Sequence, residues 1–115
     1  MNVVKQMEAA QANAEEGLLS DPGTYNIFQE IMAGVVEEAM PFRPMINLMD
    51  CGGWRADWFV QEPALSVRLI VSAAPGVYPL IFWEDDKGYG VKSATSKALN
   101  SYLKALAEML RLGAY

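Results

Sequence analysis

Three consecutive acids, Glu84, Asp85 and Asp86, precede Lys87 and the glycine-flanked tyrosine of Gly88-Tyr89-Gly90. Residues of these types could hold a cation or cradle a phosphate. A calcium loop draws oxygens from alternating positions to about 2.3–2.6 Å, with a glycine at a fixed place and a closing glutamate. The E-D-D-K-G-Y-G order has neither that spacing nor that glutamate. General acid–base catalysis needs one carboxyl of raised pKa, hence burial, which a polar turn does not provide. Phosphate loops carry G-x-G-x-x-G or G-K-S/T, and neither occurs here. The expectation is a solvated turn leading from a strand into a helix, its glycines supplying positive φ.

Other reactive groups are sparse. Histidine is absent, which removes the commonest acid–base group and histidine-based triads and metal sites. The single cysteine, Cys51, has no thiol to pair with and no imidazole to activate it, so a structural role is expected. Carboxylates such as Asp57 and Glu62 are what a small enzyme or ligand binder would have to use. No catalytic residue, metal ligand or cofactor is assigned, and the chain is expected not to be an enzyme.

The elements that position these residues follow from composition and periodicity. At 115 residues and 52% hydrophobic content, the chain suits a single domain with one core, spanning 1–115. No apolar run reaches the roughly 18 residues of a membrane span. The N-terminal residues lack the basic and apolar regions of a signal peptide, and a lone cysteine fits a reducing compartment, so a cytoplasmic, membrane-free protein is expected. The net charge of −5 is uneven. Residues 1–40 hold seven acids against Lys5, whereas residues 87–115 hold five cations against Glu108.

Val3, Met7, Ala10, Ala14 and Leu18 suggest a thin, alanine-rich helix within residues 2–19, packed or held as a loose N-terminal arm over 1–20. A second helix is predicted from Tyr25 to Met40, with Thr24 as N-cap and Pro41 as terminator. Trp54, Ala56, Trp58 and Val60 alternate with polar positions, as do Leu65, Val67, Leu69 and Val71, predicting two strands with one buried face. Pro75-Gly76 suits a type II turn. Residues 77–85 are predicted to form a third strand with two apolar faces, and Pro79, which cannot donate to a ladder, argues for an edge or a bulge. A final helix carries Leu99, Leu103 and Leu106, with Ser93 or Thr95 as cap and Gly113 near its end. The fold class is therefore α+β, in the order α-α-β-β-β-α. Its three-stranded antiparallel meander has helices on at least one face.

A helix, three antiparallel strands and a closing helix entered through GYGVKSATSKAL resemble the double-stranded-RNA-binding domain over about residues 24–112. The resemblance implies a compact lysine cluster gripping phosphates at the start of the last helix, but here Lys92 and Lys97 stand apart, separated by Ser93, Ala94, Thr95 and Ser96. The negative net charge disfavours a nucleic-acid partner. The favoured expectation is a small acidic protein-binding module, of the physique seen among antitoxins, immunity proteins, secretion chaperones and phage inhibitors. Tyr78, Leu80, Phe82 and Trp83 would anchor a basic protein, with Glu84, Asp85 and Asp86 as acidic rim. A second copy of the chain is another candidate cover for the strand.

Overall fold

The computed structural model describes residues 3–12, 22–36, 40–49, 52–61, 64–74 and 76–113. Cys51 and Glu62 lie outside the described residues. The elements run α1 (Val3–Ala12), α2 (Pro22–Ala33), β1 (Met45–Leu48), β2 (Trp54–Val60), β3 (Leu65–Val71), β4 (Leu80–Asp85), β5 (Gly88–Ser93) and α3 (Ser96–Gly113). The strands form one antiparallel sheet in sequential order, β1-β2-β3-β4-β5. The α+β class and the meander hold, but the sheet has five strands rather than three.

The alternating strands bury the predicted residues. Trp54, Ala56 and Trp58 of β2 and Leu65, Val67, Leu69 and Val71 of β3 join Ile81 of β4 in the core. Phe28 and Met32 of α2 and Leu99, Leu103 and Leu106 of α3 cover them. Trp54 sits under Tyr25 and Phe28, with ring centroids 5.9 Å from each. The first helix is packed through the fully buried Met7 and lies beside β1 and α2.

Two strands were hidden in the sequence. Residues 45–48 pair with 54–57, and the Met49–Gly53 loop closes when Met49 N–H donates to Gly53 O and Gly52 N–H to Met49 O. Residues 88–93 pair with β4 rather than leading directly into a helix. β4 is thus an interior strand, not an edge. Pro79 is tolerated because it stands just before β4, where its carbonyl still accepts from Ala94 N–H. Gly76 has φ +77° and Val77 N–H donates to Ala74 O, as the predicted turn requires.

The second helix ends at Ala33, well before Pro41, and its start at Pro22 leaves Thr24 inside it, buried rather than capping. Its end is set by α3. Ser96 Oγ donates to Ile31 O and Asn100 Nδ2 to Gly34 O, while Asn100 Oδ1 accepts from Val36 N–H. These side chains satisfy groups that a helix terminus otherwise leaves unpaired. A Cβ at Gly34 would fall 2.3 Å from Ser96 Oγ. Asn100→Ala, which removes both bonds, is expected to cost about 1–2 kcal/mol, read as a lowered urea midpoint. Thr95 caps α3 as expected, its Oγ1 accepting from Ala98 N–H, whereas Ser93 belongs to β5.

Candidate functional site

The core residues place α2 and α3 on one face of the sheet. The pairing registers then define the opposite face, because side chains directly across a ladder point the same way. One row runs Met45, Asp57, Arg68, Phe82 and Val91; beside it run Phe59, Ser66, Glu84 and Tyr89. Arg55, Ile70, Leu80 and Ser93 form the row on the other side. With Phe42 and Arg43 from the α2–β1 connection, the second row and all of the first except Val91 line a groove of about 540 Å³, which Trp83 also borders.

This face is unlike the rest of the chain. It carries Phe42, Phe59 and Phe82, three of the four phenylalanines, and Arg43, Arg55 and Arg68, three of the four arginines. Phe59 is 57% exposed, Met45 68% and Tyr89 75%. Asp57 is held between two guanidinium groups, with Arg55 Nε 2.9 Å from its Oδ2 and Arg68 Nε donating to its Oδ1. The Arg55 contact is an ion pair without hydrogen-bond alignment. Arg43, Arg55 and Arg68 share this side with Asp57 and Glu84, so charges of both signs line it, and Arg43 has no ion-pair partner among the described residues. Aromatic planes can stack against a bound group, and guanidinium forks can donate paired hydrogen bonds to it. Asp57 is committed to its arginines, and no three His, Cys, Asp or Glu among the described residues converge to hold a metal ion.

The residues expected to bind a partner divide among three places. Leu80, Phe82 and Glu84 share the open face. Trp83 points the other way, packs partly against the core and lies across Gly90. Tyr78 is 79% exposed in the connection before β4. Asp85 belongs to the β4–β5 turn, its Oδ1 accepting from Lys87 and Gly88 N–H, and Asp86 is exposed beside it. Neither glycine of Gly88-Tyr89-Gly90 has positive φ. Gly90 is needed for room instead, since a Cβ there would come within 2.2 Å of Trp83 Nε1.

Sequence reasoning centred on β4 missed Phe42, Arg43, Phe59 and Arg68. A signal was present in the alternation itself. The outward positions of β2 and β3 hold Phe59, Arg55 and Arg68, where a merely solvated face would favour lysine, glutamate or serine.

The α-β-β-β-α order behind the likeness to the double-stranded-RNA-binding domain does not hold, because β1 and β5 flank the three strands. No helix among the described residues is long and apolar enough to cross a membrane. The chain matches no protein-family model, no curated protein and no solved structure.

Proposed function

We propose that the chain is a non-enzymatic protein-binding module that docks its partner on the open sheet face. The observation that carries this reading is the concentration of exposed aromatics and arginines on the face that α2 and α3 leave uncovered. Phe42, Phe59 and Phe82 supply anchors of the kind that dominate interface energetics, and the arginines supply geometric specificity. The net charge of −5 and Glu84 on the open face favour a basic protein, steered by the long-range field.

The test replaces Phe59 and Phe82 together by serine. Affinity capture from the native host should retain a stoichiometric protein with the unaltered chain and lose it with the variant, while circular dichroism stays native. Identical captured proteins from both would overturn the reading.

A second reading has one observation behind it. Aromatics and arginines sharing a sheet face are also what a single-stranded nucleic acid stacks on. Anisotropy of labelled RNA at low salt distinguishes the two. Binding that collapses with added salt would favour RNA, and no binding would leave the protein partner alone.

A further inference from the structure

The sheet ends on β5, and no strand of the described residues pairs with its outer edge. The opposite edge differs, since α1 packs beside β1. β5 has six residues, contains no proline and exposes Tyr89 (75%) and Val91 (49%). Such an edge presents unpaired N–H and C=O groups in register for another strand.

We propose that β5 pairs antiparallel with β5 of a second copy, across a twofold axis at Gly90. The register follows from what each position can accept. Centred on Gly90, Tyr89 stands opposite the partner's Val91, an aromatic–β-branched pair formed twice on the open face. On the helix-bearing face, Lys92 stands opposite the partner's Gly88, where nothing lies within 4 Å of an added Cβ. The acidic β4–β5 turn, with Asp86, comes diagonally beside the partner's Lys92, so unlike charges approach and no like charges are opposed.

Neighbouring registers are worse. Centring on Val91 sets Lys92 against the partner's Gly90, whose space Trp83 already fills. Centring on Lys92 opposes two lysines. Centring on Tyr89 moves Val91 against Lys87 in the turn and loses both mixed apolar pairs. A single lysine is a common guard on an edge strand, but here the favoured register gives it room.

Pairing would join the two open faces into one continuous surface, with the partner's Val91 beside the Tyr89 that walls each groove. The inference concerns the β5 edge and stands apart from the residues used to test partner docking.

Light scattering after size exclusion should show the unaltered chain shifting with concentration from 12.7 kDa towards twice that mass. The double variant Tyr89→Lys, Val91→Lys should remain a monomer, as should Tyr89→Glu, Val91→Glu, because each opposes like charges across the axis. Mixing the two should restore a dimer containing one of each, visible by native mass spectrometry. Amide exchange of the unaltered chain supplies a readout that needs no variant, with protection in β5 rising as concentration rises. A chain that stays monomeric, charged variants that dimerise unmixed, a mixture that stays monomeric, or β5 protection independent of concentration would each overturn the proposal.

Discussion

Trp54→Ala is expected to lower stability by about 3–5 kcal/mol, the range for deleting a large aromatic from a core, while Phe59→Ala changes it by about 0.5 kcal/mol or less. The two residues are aromatics of one strand, five positions apart, and serve opposite faces of the sheet. Trp54 is fully buried between Tyr25, Phe28 and the flanking strands. Phe59 is 57% exposed. Since whole domains are stable by about 5–15 kcal/mol, the tryptophan variant should be close to unfolding, whereas the phenylalanine variant should be indistinguishable in a urea titration. One refinement follows from the indole. Trp54 Nε1 is buried without an acceptor among the described residues, and an orphaned donor costs about 1–3 kcal/mol. Trp54→Phe, which removes that donor, should therefore cost less than its lost volume implies. Equal losses at Trp54 and Phe59 would mean that both faces are core, and the binding-face proposal would fall with them.

The contrast between these residues also shows what could be read from the chain. Period-two alternation identified the inward set of β2 and β3, because a half-buried strand writes its burial pattern directly into its residue types. The broad leucine stripe did the same for α3, and Leu99, Leu103 and Leu106 are its buried members. The failures have separate causes. β1 is only four residues long and Met45 is 68% exposed, so it shows no alternation to detect. The end of α2 depends on Ser96 and Asn100, more than sixty residues away in sequence, and no local signal carries that. The candidate face was legible only at Leu80, Phe82 and Glu84, because two apolar sides drew attention to β4 while the register that aligns Phe59 and Arg68 with it is a tertiary fact.

The second strongly expected effect concerns Gly90, and it settles why the Gly88-Tyr89-Gly90 stretch reads as a loop but forms a strand. A glycine required for turn geometry should have positive φ, and neither of these does. At Gly90 the reason is steric, since an added Cβ would stand 2.2, 2.5 and 2.8 Å from Nε1, Cε2 and Cζ2 of Trp83. An indole is rigid and Trp83 is partly packed into the core, so Gly90→Ala should cost about 1–3 kcal/mol by overpacking. Gly88→Ala meets nothing within 4 Å and should be neutral or stabilise by up to about 1 kcal/mol through a less flexible unfolded chain. Shortening the indole provides the decisive control. In a Trp83→Leu background the alanine at position 90 should be accepted at much smaller cost, giving a coupling between the two sites of about 0.5–3 kcal/mol in a double-mutant cycle. A coupling near zero would mean that the tryptophan does not lie over Gly90, and the account of why this edge strand carries no side chain there would be wrong.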